Sequence, residues 1–265
     1  YIWDQYWAYQ AQAGWLARLA MPLFAPSLRQ WDMASAARVD HIIANSEFVA
    51  RRISKAWGRK STVIHPPVDV AAFAPSRMPD PAAPNSPYLF AGELVSYKRP
   101  DLVVDACTRL GRPLVVIGDG PARADLERRA GPTVTFLGRV DFETLKANYR
   151  NCRALVFPGI EDFGIVPLEV MMSGRPVIAF GKGGATETIV EGQTGMFFHA
   201  QTVDAVADAI KDFEADPTPI SPEATMAWAR KFSAKRFRRQ FTGYLAEVAP
   251  AYLQDDLRRR ERAQT

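Results

Sequence analysis

The chain has 265 residues, which corresponds to about two domains at roughly 150 residues each. Hydrophobic residues make up 48% and charged residues 23%, an ordinary globular composition that excludes disordered, collagen-like and low-complexity chains. The net charge of +4 suits phosphorylated ligands or an anionic membrane face, but it is too small to indicate nucleic-acid binding. Both cysteines, Cys107 and Cys152, lie in apolar segments, which indicates free thiols in a reducing, cytoplasmic compartment.

The start of the chain is rich in aromatic side chains, but no run of about 18 apolar residues predicts a membrane-spanning helix. Aromatic stripes usually pack into a helical core or against another domain. The alternative is an amphipathic surface that rests on a membrane, with Arg18 and Arg29 facing lipid phosphates. Because the chain begins with Tyr1 and not with Met, it is also expected to be a fragment or a processed chain.

Two short strands and a helix are predicted before the first proline-rich segment. Residues 40–45 have the pattern of a short buried strand. Ser46 is a good cap for a helix that ends near Trp57. A second strand is predicted over residues 62–65. Two strands alone do not make a complete lobe.

A linker separates this region from the remainder of the chain. Five prolines fall between Pro75 and Pro87, among small residues, and indicate a domain boundary. The sequence is therefore divided into the end of an N-terminal lobe at 1–69, a linker at 70–87, a complete lobe at 88–220, and a C-terminal helix with a basic tail at 221–265.

From Tyr88 onward, short apolar runs alternate with helical patterns. Six such runs are predicted strands, and they begin near Tyr88, Pro113, Val134, Ala154, Pro176 and Gly195. Apolar strands that alternate with helices are typical of a parallel sheet covered on both faces. Six of them are enough for a doubly wound α/β domain, which a helical stretch from Pro222 to about Leu257 follows.

The loops that follow the strands form the candidate site, because open parallel sheets bind ligands at the carboxyl ends of their strands. The first loop carries Gly92, Lys98 and Arg99, and the second carries Gly118. Helix N-termini with bare backbone amides attract anions, and the two cations add full charges. Each loop alone could reflect turn geometry. Their convergence on one edge of the sheet predicts a diphosphate site.

The loop after the fourth strand is the most specific. Glu161 lies in this loop, and Glu169 lies just over one turn into the following helix. Carboxylates accept hydrogen bonds strongly from sugar hydroxyls, so both are candidates for binding hydroxyl groups rather than a metal. Gly164, between them, allows a ligand to approach the backbone.

Together these blocks resemble one family, the family 4 retaining glycosyltransferases, which have the two-lobed GT-B fold. The similarity to that family's donor-site signature lies in FAGELVSYKRPDLVV, VIGDGP and EDFGIVPLE, and in the flanking VFPG and GRPVIAFGKGGATETIVEGQTG. It covers about residues 44–210. Within it, HIIANSEFVARRI, VIHPPVD and YKRPD look most like bacterial mannosyltransferases that act on lipid-linked glycans.

The resemblance implies roles for individual residues. Glu161 would hydrogen-bond hydroxyls of the transferred sugar, and Lys98 would pair with the diphosphate and stabilise the departing charge; these two are the implied catalytic residues. Glu169 would hold the nucleotide ribose. The implied donor-binding set is Gly92, Lys98, Arg99, Gly118, Val140 beside the base, Glu161, Glu169, and the amides of Phe163, Gly164 and Ile165.

The resemblance also implies that no metal or other cofactor is needed, the nucleotide sugar being a substrate. The absence of a DxD-like acidic pair beside a strand end agrees with this. One position departs from the family pattern, since Glu93 stands where relatives usually carry an arginine that clamps the phosphates. A carboxylate there is expected to repel the diphosphate unless Arg99 or Lys182 compensates.

The implied fold is a Rossmann-like donor lobe with an incomplete N-terminal lobe and a C-terminal helix that crosses back to it. With two strands before the linker, where a complete lobe has about six, this chain alone is expected to be inactive in transfer. His41 and His65 are the remaining polar candidates near the first lobe, and structural roles are expected for both.

The function implied by the resemblance is transfer of mannose from GDP-mannose, with retention, to a glycan or lipid-linked acceptor in polysaccharide biosynthesis. The expected location is the cytoplasm, with peripheral contact at the inner face of its membrane. Two alternatives stay open. One is a GT-B nucleotide-sugar epimerase or hydrolase, which needs no acceptor. The other is a non-catalytic nucleotide-sugar-binding subunit that completes another chain's site.

Overall fold

The computed structural model describes residues 2–4, 6, 10, 13–79, 83, 85–216 and 220–249. The chain divides into two compact units, Tyr1–Ile64 and His65–Thr265. The division falls a little before residue 69, because the amide of Val68 donates to the carbonyl of Phe232 at 2.8 Å and so joins this segment to the second unit. The basic tail that begins at Arg258 lies outside the described residues.

The first unit includes two helices and a two-stranded parallel sheet whose bounds the structure describes. Its elements are helix α1 (Trp15–Ala36), strand β1 (Ile43–Ala44), helix α2 (Glu47–Trp57) and strand β2 (Thr62–Val63). As predicted, Ser46 caps α2, since Oγ accepts the amide of Val49 at 3.0 Å. The two predicted strands are present but shorter than the apolar runs that contain them.

Helix α1 leaves most of its large apolar side chains exposed. Trp15, Leu19 and Leu23 are 71%, 68% and 76% exposed, and only Ala25 and Ala36 of this helix are buried. Helix α1 therefore does not form the expected helical core, whereas the expectation that this segment packs against another domain stays a prediction. Among the residues that the structure describes, no helix is both long enough and apolar enough to cross a membrane.

The second unit is built on a six-stranded parallel sheet. Its strands are β3 (Tyr88–Ala91), β4 (Leu114–Ile117), β5 (Val134–Gly138), β6 (Leu155–Phe157), β7 (Val177–Phe180) and β8 (Gly195–Phe198). They lie in the order β5-β4-β3-β6-β7-β8, and every neighbouring pair is parallel. The predicted doubly wound sheet is confirmed, with its order reversing between β3 and β6.

One short helix before the sheet and a helix after each of its strands bury the two faces of this sheet. They are α3 (Val70–Phe73), α4 (Pro100–Leu110), α5 (Arg123–Arg129), α6 (Phe142–Asn151), α7 (Ile165–Met172), α8 (Ala185–Thr188) and α9 (Val203–Ala215). Along β3, Leu89 and Ala91 enter one core while Tyr88 and Phe90 enter the other. Successive side chains of a strand point to opposite faces, which explains the continuous apolar runs.

The helical stretch from Pro222 is interrupted rather than continuous. Helix α10 (Pro222–Ala229) is followed by a 3-10 turn (Arg230–Phe232) and then by helix α11 (Ala234–Val248). The break lies at Ser233, which has an extended backbone and whose Oγ accepts the amide of Arg236 at 3.4 Å. Ser233 ends the first helical segment and caps the second, so the sequence has a helical pattern on both sides of the break.

Candidate functional site

The loops after β3 and β6 meet where the order of the strands reverses, which is the usual ligand site of doubly wound sheets. Lys98 ends a 3-10 turn (Ser96–Lys98) in the first of these loops. Gly159 follows β6, and a Cβ on it would lie 2.9 Å from Cα of Lys98. The absence of a side chain at Gly159 therefore brings the Lys98 backbone directly against the second loop.

Lys98 and Glu161 form an ion pair at this point. Nζ of Lys98 lies 2.9 Å from Oε1 of Glu161, and the two side chains are 24% and 23% exposed. Oε1 is buried, yet it accepts no well-aligned hydrogen bond from the described residues. The structure thus brings together the cation and the carboxylate that the sequence motifs singled out, with hydrogen-bonding capacity left on the carboxylate.

Helix α7 begins immediately beyond this pair, directly after Gly164. Gly164 has φ 95° and ψ 69°, a left-handed conformation that favours glycine. It provides no side-chain cap, and the first turn of α7 contains no acidic residue. The amides at this turn, from Phe163 to Ile165, are therefore suited to an anion. Phe163 itself is buried, whereas Ile165 is 43% exposed.

Two further glycines from the predicted set bring the ends of β3 and β4 together. The amide of Gly92 donates to the carbonyl of Ile117 at 3.0 Å, and a Cβ on Gly118, which has φ 128°, would collide with the carbonyl oxygen of Gly92. A Cβ on Gly92 would also lie 3.7 Å from Nζ of Lys98. Both glycines therefore lie at the rim that Lys98 occupies.

The loop after β7 supports the loop that carries Glu161. The amide of Gly184 donates to the carbonyl of Glu161 at 2.8 Å, and a Cβ on Gly183 would lie 2.7 Å from the same oxygen. A Cβ on Gly184 would collide with the backbone of Phe163. These contacts explain why two consecutive glycines precede α8.

Glu169 lies on α7, partly buried, and is contacted by a residue that the sequence did not single out. The hydroxyl of Tyr149 donates to its Oε2 at 3.3 Å. Burial raises the pKa of Glu169 above its ordinary range, and the hydrogen bond from Tyr149 opposes that shift. Val140, predicted to lie beside a base, packs against the core that contains Tyr149. A carboxylate with a raised pKa at the ligand edge of a sheet is typical of a binding site.

Arg99 and Glu93 are placed less favourably for a phosphate. Arg99 has φ 54°, the single positive value among the described non-glycine residues. Its guanidinium forms an ion pair with Asp101, with 2.9 Å between the nitrogen and Oδ2, at the start of α4. Glu93 is exposed and pairs with no described cation. Arg99 is therefore paired with Asp101, and its compensation for Glu93 stays a prediction.

His65 lies in the second unit beside the loop after β6. Its ring stacks on Phe163 with 5.4 Å between the ring centroids. Its Nε2 lies 3.1 Å from Oε2 of Glu187, and its Nδ1 lies 3.4 Å from a guanidinium nitrogen of Arg236. Sequence reasoning missed both partners, because they are more than 120 residues away from His65 along the chain. His41, by contrast, belongs to the first unit.

The site therefore offers two kinds of group. Lys98 and the first amides of α7 suit an anion, whereas Glu161 and Glu169 suit hydroxyl donors. No group of three or more metal-binding side chains occurs in the part of the chain that the structure describes. The arrangement can bind a ligand that joins phosphates to a polyhydroxylated ring.

Sequence comparison identifies a family that such a site fits. A family model for the group 1 glycosyl transferases matches residues 83–232. The D-inositol 3-phosphate glycosyltransferase of Mycolicibacterium gilvum is 29% identical over 93% of this chain and 66% of its own length. A GDP-mannose-dependent alpha-(1-6)-phosphatidylinositol monomannoside mannosyltransferase of Mycolicibacterium smegmatis is 29% identical over 71% of this chain and 58% of its own length. The chain thus spans less than two thirds of each relative.

Solved structures share the fold. HepE of Anabaena, in complex with UDP-glucose, superposes with a TM-score of 0.73 at 21% identity, over 83% of this chain and 67% of that one. Sucrose-phosphate synthase from Thermosynechococcus elongatus gives 0.71 at 23% identity, over 85% and 62%. Since the family model covers more than half of the chain and the sheet is the Rossmann-like sheet of GT-B proteins, the chain belongs to the group 1 glycosyltransferases.

Proposed function

We propose that this chain is the donor-binding part of a retaining glycosyltransferase that transfers mannose from GDP-mannose to a glycan or lipid-linked acceptor in polysaccharide biosynthesis. The observation that carries the proposal is the Lys98–Glu161 pair beside the uncapped N-terminus of α7. A cation and free amides suit the diphosphate, and the neighbouring carboxylate suits a hydroxyl of the sugar.

The identity of the donor is supported by resemblance. The named mannosyltransferase of Mycolicibacterium smegmatis uses GDP-mannose, and the sequence motifs look most like those of mannosyltransferases. The competing donor is UDP-glucose, because the structurally similar HepE is in complex with it. The two donors differ in both base and sugar, so a binding experiment separates them.

The proposed mechanism is a front-face displacement in which the protein acts mainly through charge. The bond between the anomeric carbon and the diphosphate breaks while the acceptor oxygen attacks from the same face. The proton of the acceptor hydroxyl passes to the leaving phosphate oxygen. Lys98 and the amides of α7 stabilise the negative charge that grows on the diphosphate. Glu161 orients the sugar and Glu169 holds the ribose, and no metal takes part.

Calorimetric titration of the chain with GDP, UDP, GDP-mannose and UDP-glucose tests the donor. We expect GDP-mannose to bind more tightly than UDP-glucose, with the same affinity in EDTA as without it. Tighter binding of UDP-glucose would replace the proposed donor. Loss of binding in EDTA, restored by Mn²⁺, would refute the metal-free site, and failure of all four ligands to bind would refute the proposed function.

A product assay with radiolabelled GDP-mannose and membrane lipid separates transfer from the two alternatives. Because the relatives are longer than this chain, the assay includes a fusion of the chain to the part of the Mycolicibacterium smegmatis relative that it does not match. Label in the lipid fraction of the fusion supports transfer. Free labelled mannose would indicate a hydrolase, an isomerised nucleotide sugar would indicate an epimerase, and unchanged donor would favour a binding subunit.

The exposed apolar face of α1 supports a separate proposal, that the chain contacts an anionic membrane surface peripherally. Trp15, Leu19 and Leu23 would enter the headgroup region, next to the cationic Arg18. Sedimentation with vesicles that contain anionic lipid tests it. We expect the Leu19→Asp/Leu23→Asp variant to remain in the supernatant while the unmodified chain pellets, and equal sedimentation of both would contradict the contact.

A further inference from the structure

Tyr149 is a buried tyrosine whose hydroxyl makes one hydrogen bond to the described residues. It is 2% exposed, and its ring stacks on Phe73 with 5.6 Å between centroids and 25° between planes. Phe73 in turn packs edge-on against Phe142 at 5.4 Å. The ring, which α6 carries, is thus held against Phe73 of α3, so packing fixes where its hydroxyl lies.

That hydroxyl points to the carboxylate of Glu169. It donates to Oε2 at 3.3 Å, and no described residue donates to the second oxygen, Oε1. The side chain of Glu169 is partly buried, and desolvation raises its pKa, whereas the Tyr149 hydrogen bond lowers it. Burial also raises the pKa of Tyr149, which keeps the phenol protonated and therefore a donor. One oxygen of Glu169 is fixed by the protein, and the other is left to accept from a ligand.

We propose that Tyr149 is a positioning residue that orients Glu169, so that its second oxygen accepts hydrogen bonds from the ribose hydroxyls of the nucleotide. The inference rests on the proposed function, in which Glu169 holds the ribose. Tyr149 acts only through Glu169 and does not contact the ligand. Loss of the Tyr149 hydroxyl should therefore weaken the binding only of ligands that carry the ribose hydroxyls. A general structural role would instead weaken the binding of ligands with and without these hydroxyls alike.

The experiment compares GDP with 2′,3′-dideoxy-GDP by calorimetry in the wild-type chain and in Tyr149→Phe. The substitution keeps the ring that stacks on Phe73 and removes the hydroxyl. We expect the preference for GDP over the dideoxy form to fall about threefold to tenfold, as for the loss of one hydrogen bond. Affinity for the dideoxy nucleotide should not change. A variant that weakens both nucleotides equally would overturn the proposal.

A matched control comes from Tyr88, which is also buried and whose hydroxyl donates to Glu214 at 3.1 Å. Tyr88 begins β3 and therefore lies at the amino-terminal ends of the strands, whereas the site lies at their carboxyl ends. Tyr88→Phe removes the same group and should leave the preference for GDP unchanged. If it lowers that preference as much as Tyr149→Phe does, the effect is general destabilisation and the proposal fails.

Two further measurements keep the proposal distinct from the function on which it rests. The GDP preference of wild type should be lost as the pH falls and Glu169 is protonated, and in Tyr149→Phe this loss should occur at a higher pH. Glu169→Gln should abolish the preference. If Glu169→Gln does so and Tyr149→Phe does not, the inference is wrong while the proposed function stands. If wild type shows no preference, the ribose role of Glu169 itself is wrong.

Discussion

Lys98 and Glu161 come from two loops on either side of the point where the strand order reverses, and their charged groups meet with 2.9 Å between Nζ and Oε1. The two opposite charges pair, but Oε1 receives no hydrogen bond of good geometry from the described residues. The two residues should therefore respond differently to the two halves of a nucleotide sugar.

Lys98→Ala should weaken the binding of GDP about tenfold to a hundredfold, because a charged hydrogen bond of roughly 1.5–3 kcal/mol is lost. Calorimetry measures the change. Lys211→Ala is the control, since Lys211 is a cation on α9 that pairs with the nearby Asp208. Equal affinities for GDP in wild type and Lys98→Ala would show that the diphosphate does not contact Lys98.

Glu161→Gln should act on the sugar and not on the diphosphate. The variant keeps the size of the side chain but loses the charge that attracts hydroxyl donors, so the gain in affinity from GDP to GDP-mannose should shrink by about tenfold. Binding of GDP alone should be unchanged or tighter, because Lys98 is released from its carboxylate partner. A drop in GDP affinity equal to the drop for GDP-mannose would contradict this assignment.

Glu93→Arg should tighten GDP binding, since it replaces an exposed negative charge near the rim by a positive one. When the side chain is exposed to solvent and lies several ångströms from the bound phosphates, reversing its charge changes the affinity about threefold to tenfold. The gain should diminish as salt is raised from low to high ionic strength, because exposed charges are screened. Titrations at two salt concentrations check both statements, and a salt-independent or absent gain would place Glu93 away from the phosphates.

Glu169→Gln should stabilise the folded chain at neutral pH. The pKa of Glu169 is raised by burial, so its ionised form is less favourable in the folded than in the unfolded chain. The free energy of unfolding therefore falls as the pH rises from the unfolded pKa through the higher folded one, and the penalty is absent below both. Denaturant unfolding at pH 7 and near pH 4 should show the variant's advantage at pH 7 only.

The opposite sign is expected for Glu214→Gln, which serves as the control for that experiment. Burial raises the pKa of Glu214, but hydrogen bonds from Arg112 and Tyr88 outweigh it and leave the pKa lowered. The ionised form therefore stabilises the fold above the unfolded pKa. This variant should be less stable than wild type at pH 7, with a smaller deficit at low pH. Parallel pH dependence in the two variants would refute the assigned shifts.

Much of the second unit follows directly from the sequence. A strand buried on both faces must be continuously apolar, as Leu155–Phe157 is, and parallel strands bring all following loops to one edge. The sequence alone therefore places Lys98 and Glu161 at one rim of the sheet. The sequence also places the start of α2, since Ser46 caps that helix through its side chain as predicted.

What the sequence does not reveal depends on contacts between distant segments. The hydrogen bond from Tyr149 to Glu169 joins two helices whose relative rotation is set by packing, so no spacing rule predicts it. Arg99, a predicted phosphate ligand, forms an ion pair with Asp101 two residues later, a contact that the motif does not indicate. Neighbouring carboxylates of this kind influence where a flexible cationic side chain points, and a sequence motif does not indicate the outcome.

The backbone contact between Gly184 and the loop that carries Glu161 limits how this site can be redesigned. Any side chain at Gly184 would displace the backbone of Phe163 and with it the loop that carries Glu161, so libraries that vary this glycine should yield misfolded or inactive proteins. Variation in this loop belongs instead at Ile160, whose side chain can change while the two backbones stay in contact. The loop after β6 and the loop after β7 should accordingly be exchanged between relatives together and never singly.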